Sequence, residues 1–319
     1  MVRALFSIGT NSTRLLVLDG ERQIAAESRG TRIGTGIGAT GTIDAAARNR
    51  TLAAIDEYVA IVRRHGAVAV DAIATSALRR ARDGASFAAD VAARVGVVPR
   101  VLTGAEEATY SFLGATASWR DGDARGGEDR AVAVLDVGGG STEFAIDVPS
   151  RARARGATER TLSLEVGAVR LSERHPALLG ARALDAHQRH ALESEARADA
   201  AAVLAPLAAQ RSFVELIAVG GTVFTAAGML NAGISDGTTM SHGDRSQLID
   251  DLLSRDLAER KAMPHIRPQR ADILPAGLIV VDEACDLLTV DTITVSEADL
   301  LLGYLTSPAF RARALPPKR

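Results

Sequence analysis

Apolar residues fall along this chain in two rhythms, short continuous runs and longer stretches with helical spacing, and the alternation predicts an α/β protein. Residues 4–8, 14–18 and 23–28 read as strands joined by tight turns, followed by the loop Gly34-Thr35-Gly36-Ile37-Gly38. Residues 44–65 predict a long helix, with Leu52, Ile55, Val59 and Val62 on one face and Gly66 as its stop signal. A buried strand at 68–74, a helix at 86–95, a strand at 99–102 and a helix at 106–118 complete the first half. The resulting order β-β-β-α-β-α-β-α, with an antiparallel start, belongs to alternating α/β layers.

Residues 120–129 are polar and rich in glycine, which suits a crossing between domains. The second half restarts the same plan, with strands at 131–135, 142–146 and 161–166. A long Ala-rich helix at 184–207 and a strand at 214–219 follow, the strand leading into Gly220-Gly221-Thr222 at the start of another helix. Helices dominate 244–288, and a strand at 292–295 precedes a C-terminal helix at 297–305. The run Arg151-Ala152-Arg153-Ala154-Arg155 reads as the solvated cap of a hairpin, with a polyanion-guiding patch as the other reading.

A length of 319 residues is enough for two domains with separate cores. The expected division is 1–122 and 123–296, with 297–319 packing back on the first domain and a hinge near Asp121. A net charge of −2 argues against a general nucleic-acid binder. Cys285 is the only cysteine, so no internal disulfide forms, and a reducing cytoplasm is the expected location. The start, Met1-Val2-Arg3-Ala4-Leu5, runs straight into the first turn and is poor signal-peptide material. The apolar stretch 273–281 is interrupted by Pro275 and too short to span a bilayer, so no membrane partner is expected. Short apolar helices in the second half offer a face for a homodimer.

Candidate chemistry lies in a turn that occurs twice. Phe6-Ser7-Ile8-Gly9-Thr10-Asn11-Ser12-Thr13-Arg14-Leu15 matches Leu135-Asp136-Val137-Gly138-Gly139-Gly140-Ser141-Thr142-Glu143-Phe144, with Ser7 standing where the second copy has Asp136. Each is a strand, a tight turn and a strand, and the turn is rich in residues whose backbone N–H groups approach an anion closely. Thr10, Asn11, Ser12, Ser141 and Thr142 add hydroxyl or amide groups for phosphate oxygens, and Gly220, Gly221 and Thr222 form a third such turn. Two facing turns would clamp a chain of phosphates.

Asp136 and Glu143 flank the second turn, and two carboxylates beside a phosphate repel it unless a hard cation such as Mg²⁺ lies between. The bland alternatives are a turn-capping Asp and a solvated strand Glu. Glu106 and Glu107 open a helix, where acidic residues favour the helix dipole; the functional reading has one of them activate water. Thr75-Ser76-Ala77-Leu78-Arg79-Arg80 follows a buried strand, at the usual ligand edge of such sheets. An Arg there neutralises phosphate charge or simply faces solvent. No histidine shows metal-ligand spacing, and there is no Walker loop and no Gly-x-Ser-x-Gly elbow.

Together, residues 134–144, 74–81, 102–114, 167–171, 219–228 and 260–277 resemble the exopolyphosphatase/guanosine pentaphosphate phosphohydrolase (Ppx/GppA) family. The resemblance runs from about residue 4 to residue 300. It implies two ribonuclease-H-like domains of the actin/hexokinase/Hsp70 type with a cleft between them, in the short form without a C-terminal HD-type extension. It also implies a hydrolase that releases orthophosphate from polyphosphate or guanosine pentaphosphate with Mg²⁺ or Mn²⁺. By resemblance Glu107 is the general base, Arg79 lies near the terminal phosphate, Asp136 and Glu143 surround the metal, and Gly138, Gly139, Gly140 and Ser141 bind phosphate. Two departures stand out: the family normally has Asp at Ser7, and a Gly-Leu-Arg-x-Gly-like run where this chain has Asp299-Leu300-Leu301-Leu302-Gly303. They imply slow or metal-selective activity, or a non-catalytic member that binds polyphosphate or guanosine tetra- and pentaphosphate as a sensor.

Overall fold

The computed structural model describes residues 1–117, 131–147, 160–210, 213 and 215–316. The expected crossing at 120–129, the hinge near Asp121 and the Arg-rich run 151–155 lie outside the described residues. In the first half the elements are β1 Val2–Ile8, β2 Thr13–Asp19, β3 Arg22–Arg29, α1 Ile37–Thr40 and α2 Ala45–Arg64. They continue with β4 Ala69–Ala74, α3 Ser76–Arg80, α4 Gly84–Val95, β5 Arg100–Val101 and α5 Gly104–Ala115. The second half opens with β6 Val132–Val137, β7 Thr142–Asp147, β8 Arg160–Leu164, α6 Ala168–Arg174 and α7 Ala186–Leu204. Next come β9 Glu215–Val219, α8 Gly221–Leu230, β10 Thr239–Met240, α9 His242–Leu253 and α10 Leu257–Lys261. The last are α11 Leu274–Leu288, β11 Ile293–Val295 and α12 Leu300–Thr306.

Local chemistry accounts for the element boundaries. Asp44, the first residue of the expected helix, instead caps α2 by accepting a hydrogen bond from the Ala47 N–H. The helix expected over 184–207 stops at Leu204, where Pro206 diverts the chain into a 3₁₀ turn. The C-terminal helix begins at Leu300 rather than 297, because the Asp299 carboxylate accepts the Leu301 N–H and sets the cap. The short helices α1 and α3 and the two-residue β10 were not expected; each is too short to show periodicity.

Two sheets carry the fold, ordered β3-β2-β1-β4-β5 and β8-β7-β6-β9-β11-β10 among the described residues. In both, an antiparallel hairpin (β1/β2, β6/β7) is followed by a strand parallel to its first member (β4, β9). These are the two ribonuclease-H-like domains that the resemblance implies. The duplicated turns sit at the C-terminal ends of β1 and β6, the edge where such sheets bind ligands.

The helices that bridge the sheets decide what the site contains. From α5, Ala108, Phe112 and Ala115 pack on Val134, Ala145, Ile217 and Val219 of the second sheet. From α12, Leu300, Leu301, Tyr304 and Leu305 pack with Tyr110 on Leu5, Leu16, Leu18 and Ile73 of the first. Each half thus covers one face of the other's sheet. Where α5 and α12 cross, a Cβ on Gly303 would lie 1.9 Å from the Tyr110 carbonyl oxygen, and one on Gly114 would lie 1.9 Å from that of Asp299. Tyr110 and Tyr304 meet edge to face with centroids 5.0 Å apart. No helix among the described residues is long and apolar enough to cross a membrane.

Candidate active site

The duplicated turns have the same geometry. The Gly9 N–H donates to the Ser12 carbonyl at 3.0 Å, and the Gly138 N–H to the Ser141 carbonyl at 3.0 Å. In the first turn the carbonyls of Thr10 and Asn11 accept from the N–H groups of Gly34 and Arg32, both at 2.9 Å. In the second, the start of α6 serves the same purpose: Ala168 N–H bonds Gly138 O at 3.0 Å and Val169 N–H bonds Gly139 O at 2.9 Å. With its carbonyl tied to one side, each peptide directs its N–H to the other. Gly167 permits this approach, since a Cβ there would stand 2.6 Å from Gly138 O. The turns abut: a Cβ on Gly139 would lie 3.2 Å from the Asn11 nitrogen, and one on Gly140 would lie 2.6 Å from Thr10 Oγ1.

Strand parity brings the acids together. Asp136 and Glu143 are cross-strand partners on the face of β6 and β7 that α5 covers, alongside Val134 and Ala145. The Ser111 hydroxyl of α5 donates to Asp136 Oδ2 at 2.6 Å, and the Ser163 hydroxyl of β8 donates to Glu143 Oε1 at 2.8 Å. Helix α5 separates the roles of its two glutamates. Glu106 is spent on a capping box, its carboxylate accepting the Thr103 N–H at 2.8 Å while also pairing with Arg100. Glu107, 5% exposed, points inward and pairs with Arg79, whose Nη1 also donates to the Leu102 carbonyl at 2.7 Å.

Burial raises all three acids. It pushes Glu107 up to about 7 despite Arg79, with Asp136 and Glu165 adding to the rise. It pushes Asp136 up to about 6, reinforced by Asp299 and opposed by Ser111, Arg14 and Arg270. Glu143 is raised by burial and then by Glu107 and Asp136. The folded protein therefore holds these protons more tightly than the unfolded chain, so its stability falls as pH climbs from the ordinary carboxylate range to about 7. Glu107 and Asp136 together account for a loss on the order of a few kcal/mol. In chelator, the melting temperature is expected to drop between about pH 5 and pH 7.5, less steeply in Asp136→Asn and less steeply again with Mg²⁺ present. A flat or rising wild-type profile would contradict this account.

The acids and turns line a cavity of about 110 Å³. Its walls include Gly9, Thr10, Asn11, Ser12, Gly138, Gly139, Gly140, Ser141, Gly220 and Gly221, with Glu107, Asp136 and Glu143. Gly220, at φ 96°, stands beside Asp136 because Val219 is the parallel partner of Asp136. Three residues expected at the site lie outside this lining: Arg79 reaches it only through its ion pair with Glu107, Thr142 donates to the Val166 carbonyl at 2.8 Å, and Thr222 packs against Gly277. Sequence reasoning gave no role to three charged lining residues, Arg14, Arg270 and Asp299. The repeat does signal Arg14, which occupies in β2 the register position of Glu143 in β7. A larger cavity of about 600 Å³ shares Ser12, Arg14, Gly220, Gly221, Arg270 and Asp299, and Arg267 stacks on Phe224 in its wall at 4.6 Å.

The set fits a hard cation chemically: it offers carboxylate oxygens, and Asn11 Oδ1 is buried with no hydrogen-bond partner among the described residues. Among the described residues, however, the one group of three whose ligand atoms all lie within 4.8 Å of one another is elsewhere, at His242, Asp282 and Asp286, which chain spacing did not reveal. There Asp282 is already paired with Arg245 at 2.6 Å and Arg197 at 2.7 Å.

Comparison with known proteins agrees with this geometry. The model of the Ppx/GppA phosphatase family matches residues 18–309. Exopolyphosphatase 2 of Mycobacterium tuberculosis is 32% identical over 331 residues, covering 96% of this chain and 98% of that protein. The crystal structure of an exopolyphosphatase-like protein superposes with a TM-score of 0.83 at 27% identity, over 97% of this chain and 99% of that one. The structure of an exopolyphosphatase from Cytophaga hutchinsonii gives 0.80 at 25% identity, over 96% of both chains.

Proposed function

The chain belongs to the Ppx/GppA phosphatase family of hydrolases, and we propose on that premise that it cleaves the terminal phosphoanhydride of inorganic polyphosphate or the 5′-terminal one of guanosine pentaphosphate, releasing orthophosphate. The observation that carries the reading is the cavity itself, which two matching Gly-rich turns wall together with three buried carboxylates, one of them pushed up to about 7.

Glu107 accepts a proton from the attacking water. The water oxygen bonds to the terminal phosphorus, the bond to the bridging oxygen breaks, and the shortened chain leaves with that electron pair. The amides of Gly139 and Gly140 receive the charge that grows on the phosphoryl oxygens. Arg79, outside the lining of both cavities, orients Glu107 through Nη1 and keeps a buried Nη2 without a partner among the described residues. Asp136 and Glu143 would hold Mg²⁺ or Mn²⁺, which when bound neutralises charge on the transferring phosphoryl group. Arg14, Arg267 and Arg270 line the larger cavity and receive the rest of the anion. Residues 1–122 and 123–296 act as two bodies that close on it, with the C-terminal helix resting on the first.

The test is orthophosphate release by the full chain from short polyphosphate and from guanosine pentaphosphate, with Mg²⁺ and with chelator. Metal-dependent release is expected, and the ratio of the two rates names the preferred substrate. Tight binding of either anion without turnover would replace the hydrolase by a sensor, with Ser7 as the disabling change.

A further inference from the structure

The two halves of the fold present equivalent sites with unequal contents. In the second sheet, Asp136 and Glu143 occupy paired positions beneath α5, whose first turns deliver Glu107. In the first sheet, Ser7 and Arg14 occupy the matching positions. Their parity with Leu5 and Leu16 puts them beneath α12, the helix that follows β11 as α5 follows β5. The first hairpin therefore contributes one neutral and one cationic side chain where the second contributes two carboxylates. The N-cap of α12 is Asp299.

We propose that Asp299 supplies from α12, in the same cavity as Asp136, the carboxylate that the first hairpin lacks at Ser7, and that it acts on the divalent cation through its water shell. This rests on the reading that Asp136 and Glu143 hold that cation.

Capping alone does not explain the residue. The cap uses only Oδ1, which accepts the Leu301 N–H at 3.0 Å, and any short polar side chain serves there. Oδ2 turns instead to Arg14 Nη1 at 2.5 Å, and the side chain, with Asp299 only 6% exposed, lines the same cavity as Asp136. The two carboxylates are near enough for their charges to interact. An acid pair brought together in a buried cavity is unfavourable unless positive charge stands between or beside it. Arg14 and Arg270 supply part of that charge. The buried, unpartnered Asn11 Oδ1 in the same wall is an oxygen donor awaiting a further partner, as a hydrated cation would be. A cation that keeps most of its waters needs carboxylates at one remove to hold those waters in place, and groups in that position typically affect affinity about 10- to 100-fold.

Mn²⁺ binding to the full chain, read from the electron paramagnetic resonance signal of the free ion, tests this without reference to turnover. Asp299→Asn keeps the helix cap and the volume but reduces the Arg14 ion pair to a hydrogen bond, so Mn²⁺ binding is compared at a temperature where its melting curve in chelator shows it fully folded. Its Mn²⁺ affinity should fall by about tenfold or more, and Ser7→Asp in the same background should bring it back to within about threefold of wild type. The proposal is overturned if Asp299→Asn binds Mn²⁺ within about twofold of wild type while Asp136→Asn does not bind, or if Ser7→Asp restores nothing. Should Asp136→Asn bind as wild type does, the cation reading fails as well, and the two failures are told apart by that control.

Discussion

Glu107→Gln is expected to lower orthophosphate release by about two to four orders of magnitude while leaving KM within about threefold of wild type. Glutamine keeps the length of the side chain and offers Arg79 a carbonyl oxygen, so the ion pair becomes a hydrogen bond without a change of shape. It cannot take a proton from water. The neighbouring Glu106→Gln should behave quite differently. Its side chain closes the cap of α5 onto the Thr103 N–H and pairs with Arg100, and glutamine also serves in a capping box. Its rate should stay within about twofold, with a stability loss of about 1 kcal/mol or less. Steady-state phosphate release by the two variants side by side is the measurement. If Glu107→Gln keeps more than about a tenth of the activity, or Glu106→Gln loses as much as its neighbour, the assignment of the base is wrong.

The second large effect is on stability. Gly303→Ala should cost about 3 kcal/mol and lower the melting temperature by about 5–10 °C. A Cβ there would stand 1.9 Å from the Tyr110 carbonyl oxygen and 2.7 Å from the Gly114 nitrogen, both backbone atoms that no rotamer change can move aside. The helices α5 and α12 would have to separate, loosening the T-shaped Tyr110–Tyr304 contact and the apolar layer over Leu5 and Leu16. Separation would also carry the α12 N-terminus, with Asp299, away from Arg14. Thermal unfolding checks this, and a variant melting within about 1 °C of wild type would show that the close crossing is not needed.

Much of the architecture was legible because it is local. The strand–turn–strand repeat shows as apolar runs broken by Gly, Ser and Thr, and the same residues make the same Gly-to-Ser hydrogen bond in both copies. Helix α2 announced itself by an apolar stripe and the Gly66 stop signal. Thr142 and Thr222 were grouped with the phosphate turns by adjacency in sequence. The hydroxyl of one bonds the Val166 carbonyl and the other packs on Gly277, contacts that no local pattern encodes. The group of His242, Asp282 and Asp286 escaped for the same reason, since α9 and α11 meet only in space.

The sequence by itself determined the duplicated hairpins, the family resemblance and the acids that flank the second turn, because each is written in contiguous residues with short-range geometric demands. The tertiary structure decided which of two adjacent glutamates faces the cavity, since the capping box consumes Glu106 and turns Glu107 inward. It also decided that Arg14 and Asp299, far apart along the chain, meet beside Asp136. Strand parity selects the face each side chain occupies, and the exchange of α5 and α12 between the sheets selects what covers that face. The second choice depends on packing between distant segments, which no window of sequence contains.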